Sequence, residues 1–122
     1  MTTLGDARAL ALSLPEAAEQ DHHGLDSFRV RGKIFATVPD DGHLRIMIDE
    51  DDIKAAVAEH PGTCAPFYWG ARLACVVVTL AEAEPPLVRE LLTEAWRRKA
   101  PKKLSISFPP DVEDPAPAPT SE

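Results

Sequence analysis

Residues 25–49 read LDSFRVRGKIFATVPDDGHLRIMID, and the parsing of this stretch decides the fold. Three short apolar-rich runs are separated by two turn signals. Arg31-Gly32 divides 25–30 from 33–38, and glycine supplies the positive φ that a tight hairpin loop needs. Pro39-Asp40-Asp41-Gly42 divides the second run from 43–48 with turn-forming residues throughout. In the third run Leu44, Ile46 and Ile48 alternate with His43, Arg45 and Met47, the period of a strand with one buried face. Three consecutive strands follow from this pattern. The first hairpin has two possible registers. A two-residue loop pairs Phe28 with Phe35, a three-residue loop pairs Phe28 with Ala36, and each turns a different set of side chains inward. Phe28, Val30, Ile34, Phe35 and Val38 all qualify for burial, so the hairpin is expected to be covered in part on both faces.

Working outward toward the N-terminus, Thr3 can cap a helix running to about residue 14. Leu4, Ala7, Ala11 and Leu14 recur at helical spacing along it. Pro15 ends it, because proline disfavours the helical conformation of the preceding residue. EAAEQDHHG then reads as a polar connector to Gly24. Toward the C-terminus, Asp49 caps a second helix over about 50–59, with Asp52 in the capping-box position and an acidic first turn suited to the helix dipole. His60-Pro61-Gly62 closes it. RLACVVVTL (72–80) is β-branched and apolar and is the best interior strand, while 67–69 is a short strand or a packing anchor. Pro85-Pro86 opens a last helix with an apolar face of Leu87, Val88, Leu91, Leu92, Ala95 and Trp96, stopped at Pro101. From Ser105 the chain turns proline-rich and acidic, so 1–104 reads as one domain and 105–122 as a disordered tail. Consecutive strands beside amphipathic helices define a two-layer α+β fold with a mainly antiparallel sheet.

A chain of 122 residues, 44% hydrophobic and 27% charged, suits one globular domain. It has no apolar run long enough to span a membrane. The acidic Asp6 lies before the first apolar segment, which argues against a signal peptide. Cys64 and Cys75 sit in apolar surroundings, as reduced thiols of a cytoplasmic protein do. The net charge of -7 is uneven. Residues 105–122 hold four acids and no Lys or Arg, whereas 1–104 balance thirteen cations against sixteen acids. A nucleic-acid role would therefore require a concentrated basic face.

Two basic groups could supply one. Arg97, Arg98, Lys99, Lys102 and Lys103 cluster at the end of the last helix, where they could contact phosphates or simply complement the helix dipole. Arg29, Arg31, Lys33 and Arg45 lie on the strands, where they could form a basic wing or protect an exposed strand from pairing. Other constellations are weaker. Adjacent His22 and His23 after Asp21 rarely converge on one ion. Cys64 near His60 has no third orienting group and reads as a small buried thiol. The run 49–52 lacks the glycine and spacing of a calcium loop. No P-loop, dinucleotide fingerprint or nucleophile elbow is present. No catalytic set, cofactor or metal is expected. Tyr68, Trp69 and Trp96 could stack on bases, but with 6% aromatics they are expected to serve the core.

SFRVRGKIFATV, FYWGARLACVVVTL and LLTEAWRRKAPKKL, in this order and spacing, resemble the MmcQ/YjbR family. The resemblance spans about residues 10–104. It implies a small cytoplasmic α+β domain of order α-β-β-β-α-β-β-α, similar to secretion-chaperone and frataxin-like folds, which favours a fifth strand around 67–69. Members are usually labelled DNA-binding, through a double-wing arrangement. The expectation is thus a DNA-binding module acting through the two basic groups, with a protein-interaction or chaperone-like module as the alternative.

Overall fold

The computed structural model describes residues 1–22 and 24–107. The order is α1 (Leu4–Leu12), β1 (Ala17–His22), β2 (Leu25–Val30), β3 (Lys33–Asp40), β4 (His43–Ile46), α2 (Glu50–Glu59), β5 (Cys64–Trp69), β6 (Arg72–Thr79), a 3₁₀ turn (Leu80–Glu82), α3 (Pro85–Lys99) and α4 (Lys102–Ser107). The six strands form one sheet in the order β1-β2-β3-β4-β6-β5, with every neighbouring pair antiparallel.

Both N-terminal caps form as their residues dictate. The Thr3 hydroxyl accepts from the Asp6 amide and the Asp6 carboxylate accepts from the Thr3 amide, a complete capping box. Asp49 accepts from the Asp52 amide at 2.8 Å to start α2.

The central hairpin combines features of both possible registers. Its tip is a two-residue loop, with Val30 opposite Lys33 and Arg29 opposite Ile34. Arg31 (φ 51°) and Gly32 (φ 82°) both have positive φ, the pair of conformations that matches hairpin twist. Beyond the tip the register shifts, so that Phe28 faces Ala36 and Phe35 is the extra residue. The bulge allows consecutive Phe35 and Ala36 both to be fully buried.

α1, α2 and α3 close over the face of the sheet that carries Phe28, Leu44, Ile46, Val76 and Val78. Trp96 of α3 is wholly buried in this layer, and its indole N–H donates to the Pro15 carbonyl at 2.9 Å. This bond ties the last long helix to the end of the first.

Two elements depart from the sequence reading. The supposed polar connector contains an edge strand, β1, paired along its length with β2. Its polarity concealed it. Glu19 faces the helix layer and is satisfied there by Arg8 at 3.0 Å, an ion pair that no periodicity reports. The second departure is α4, which continues from Lys102 through Ser107, across the point where the composition changes. Leu104 of α4 packs against the core. Most of the acidic tail, with Asp111, Glu113, Asp114 and Glu122, lies outside the described residues, as does His23.

Candidate nucleic-acid interface

Strand directions place the two basic groups relative to one another. β3 begins at Lys33, β4 ends at Ile46, β6 begins at Arg72 and β5 ends at Trp69. Because the pairing is antiparallel throughout, these four points share one end of the sheet. The tips of the β2–β3 and β5–β6 hairpins therefore project at the same end, with β4 between them. The second tip uses Gly70 (φ 66°) in a two-residue loop that sets Trp69 opposite Arg72.

The C-terminal end of α3 arrives at this same end. The Arg98 guanidinium donates to the Met47 carbonyl at 3.1 Å, just past the end of β4. Lys99 is half-buried beside it, and its pKa is lowered from the ordinary lysine value. Burial is the first cause, followed by repulsion from Arg98, Lys33 and Arg72. One residue of the hairpin, one of β6 and one of α3 thus lie within electrostatic reach of a single ammonium group, itself on α3.

The nine basic residues marked in the sequence separate into distinct settings. Lys33, Arg98 and Lys99 converge as described. Arg31, at the hairpin tip, is engaged by the Glu16 carboxylate through two hydrogen bonds. Arg45 lies on the face of the sheet opposite the helices, its guanidinium carbon 4.5 Å from the centre of the Phe67 ring. Arg29 is half-buried and donates to the Ser27 hydroxyl at 3.1 Å. Arg97 is half-buried against α4, donating to the Ser105 carbonyl at 3.4 Å. Lys102 and Lys103 are exposed in the first turn of α4.

Two residues belong to this end of the sheet that charge counting passed over. Arg72 is isolated among apolar residues in the sequence and gains cationic neighbours only through strand pairing. Trp69 was expected in the core, yet it is 68% exposed, and adjacent Tyr68 is 54% exposed. The Trp69-Gly70-Ala71-Arg72 turn was the available signal, since a hairpin tip presents its flanking side chains outward.

A shallow cleft of about 230 Å³ opens at this end, lined by Ile48, Asp49, Glu50, Arg72, Leu73, Ala74 and Arg98. Two carboxylates face two guanidinium groups across it, so its charge is nearly balanced. Asp52 nearby has its pKa raised, first by burial and then by Asp49, while Arg98 acts in the opposite sense.

The thiols of Cys64 and Cys75 are buried, which raises both pKa values. Among the described residues no three potential metal ligands converge. No helix of the described residues is long and apolar enough to cross a membrane.

This geometry defines a small α+β domain with two hairpin tips flanking a helix end. Residues 12–98 match the YjbR family model, and the chain belongs to the YjbR family. It is 30% identical to uncharacterized protein Rv2570 of Mycobacterium tuberculosis (strain ATCC 25618 / H37Rv) over 129 aligned residues, covering 88% of this chain and 96% of the relative. Uncharacterized protein Mb2600 of Mycobacterium bovis matches to the same extent. The crystal structure of Deinococcus radiodurans protein DR2400, a DUF419-domain protein, superimposes with a TM-score of 0.71 at 23% identity. That match covers 93% of this chain and 94% of DR2400, and it supports the fold.

Proposed function

We propose that this protein is a cytoplasmic nucleic-acid-binding module that holds the phosphate backbone at the hairpin-tip end of its sheet. The observation that carries the reading is the convergence of Lys33, Arg72, Arg98 and Lys99, from three separate elements, around one point. Repulsion from Lys33, Arg72 and Arg98 disfavours the charged form of Lys99 in the free protein, even with Asp49 and Glu50 beside the two arginines. A polyanion relieves that repulsion by placing a phosphate among these cations and releasing counterions. Lys102 and Lys103 extend the path along α4. Arg31 stays with Glu16 and contributes little. The net charge of -7 repels DNA from the remainder of the surface, so binding is confined to this end.

A protein-interaction or chaperone-like role would most simply add a strand at the exposed edge of β5. Pro66 lies in that strand, and its register shifts between Phe67 and Tyr68. Proline offers no amide to an incoming chain, which discourages strand addition; the extra residue at the shift, Ala74, lies in β6. The nucleic-acid reading is favoured on that ground.

The test is salt-dependent binding of the full chain to a short duplex and to a single strand of the same length. With three or four phosphates neutralised, log K falls against log salt with a slope of about -2 to -3.6. Lys33→Glu with Lys99→Glu removes binding to both probes. If neither probe is retained at about 50 mM salt, where backbone contacts are strong, the proposal is wrong.

A further inference from the structure

The face of the sheet opposite the helices carries a second kind of chemistry. Cross-strand pairing sets Thr37, Arg45, Val77, Ala65, Cys75 and Phe67 on this face. α4 makes no extended contact with any strand, and the three longer helices lie on the other side. Ala65 is exposed and Phe67 is half-buried. Trp69 shares this side with Phe67, their ring centres 6.3 Å apart and inclined at 47°.

We infer that Phe67 and Trp69 form a base-stacking platform, which makes the ligand a single-stranded nucleic acid. The inference rests on the phosphate-binding role proposed for the adjoining cationic cluster.

Three observations favour unpaired bases over an apolar protein partner. First, the aromatic pair is bordered by cations. Arg45 covers one side of Phe67, and Arg72 is the register partner of Trp69. Second, carboxylates are scarce among the strands that build this face, although the chain as a whole is acidic and Asp49 and Glu50 line the cleft on the far side of Arg72. Strands β2 to β6 contain two acids, Asp26 and Asp40. Asp26 lies on the helix side against Arg8, and Asp40 sits at the β3–β4 turn, bonded to His43 and to the Gly42 amide. A sheet margin with exposed Trp69 beside half-buried Phe67 and Arg45, and with the acids of these strands only at its edges, complements the π-faces and phosphates of a flexible strand. Third, the two kinds of group are contiguous. Trp69 and Arg72 flank one turn, so a strand stacked on the rings continues into the cluster of Lys33, Arg98 and Lys99.

A duplex cannot use these rings, because its bases are already stacked on one another. Stacking therefore predicts a preference between strand states that phosphate contact alone does not supply.

The protein carries its own reporter. Of its two tryptophans, Trp96 is wholly buried and Trp69 is 68% exposed, so quenching of tryptophan fluorescence by a nucleic acid reads Trp69. The full chain is titrated with a 15-mer of oligo(dT) and with a 15-base-pair duplex at about 50 mM salt. The single strand should quench the fluorescence and bind several-fold more tightly than the duplex. Trp69→Ala should weaken single-strand binding by about fivefold or more, leave duplex binding nearly unchanged and abolish quenching, whereas Trp69→Phe keeps most of the affinity. Because Trp69 is exposed, these variants keep the fold, which circular dichroism verifies. Equal binding of both probes, or wild-type affinity in Trp69→Ala, overturns the stacking platform while leaving the phosphate site standing. Binding of neither probe overturns both. A Trp69-dependent dimer in light scattering, without oligonucleotide binding, assigns the face to a second copy of the chain and also overturns the inference.

Discussion

Glu16 and Arg31, the two non-glycine residues with positive φ among those described, are paired with one another by a two-point ion pair. Glu16 (φ 58°) begins the approach to β1 and Arg31 (φ 51°) begins the β2–β3 turn. Side chains other than glycine seldom adopt this conformation. Here it brings the carboxylate and the guanidinium together across the sheet edge. The pair removes the most exposed-looking basic residue of the hairpin from the set available to a ligand and leaves that role to Lys33.

The first prediction contrasts these two neighbours. Arg31→Asn tolerates the left-handed conformation and should leave nucleic-acid affinity within about threefold of wild type, since the adjacent Glu16 carboxylate already neutralises the guanidinium that is lost. Lys33→Glu should reduce it by tenfold or more, through a lost phosphate contact and an added repulsion. Fluorescence anisotropy with a labelled oligonucleotide measures both. Equal losses in the two variants would place the contact at the turn instead.

Lys99 provides a second, opposed pair of effects. Its folded pKa lies below that of the unfolded chain, so the charged form is penalised in the native state, and the penalty is relieved only as pH rises through the folded value. Removing the charge should therefore stabilise the free protein at neutral pH while weakening nucleic-acid binding. Lys99→Gln is expected to raise Tm and to lower the salt slope of binding by about 0.9, one phosphate contact. A lower Tm together with unchanged binding would show Lys99 to be structural.

Acid sensitivity follows from two carboxylates. Glu16 is held below the usual carboxylate range by its hydrogen bonds from Arg31, and Asp40 by its bond with His43 and then by the Gly42 amide. For a depressed carboxylate the stabilisation is present above the unfolded pKa, about 4, and disappears as pH falls through the lower folded value. Thermal unfolding between pH 6 and 3 should show Tm declining across the acid end, and Arg31→Asn should make that decline shallower. An identical slope in the variant would mean that the Glu16–Arg31 pair contributes nothing to it.

Trp96 should prove a stability residue and leave binding alone. Trp96→Phe leaves the partly buried Pro15 carbonyl without its donor and opens space in the helix layer, costing about 1–3 kcal/mol. Urea unfolding measures the loss. Oligonucleotide affinity under native conditions should be unchanged.

Much of the fold was legible because local chemistry and tertiary demand agree. Thr3 and Asp49 cap where their side chains can reach the third amide of a helix. Leu44 and Ile46 alternate with Arg45 because one face of β4 is buried and the other is not. β1 was hidden for the converse reason. A strand at a sheet edge whose inward carboxylate is neutralised by Arg8 has no hydrophobic alternation to display. The two possible registers of the central hairpin could not be separated by pattern, since the chain uses a two-residue tip and then a bulge at Phe35, satisfying elements of each.

The candidate site divides along the same line. The sequence by itself determined the elements, the hairpin tips and the concentration of cations at the end of α3, because caps, periodicity and charge runs are local properties. Only the tertiary structure decided which cations meet. Antiparallel pairing carried Lys33 and Arg72 to one end of the sheet, where the end of α3 brings Arg98 and Lys99. The Glu16 contact withdrew Arg31, and the β5–β6 turn left Trp69 in solvent. Residues far apart in the chain become one site only through strand pairing and helix packing, and a side chain's exposure depends on what those contacts leave uncovered.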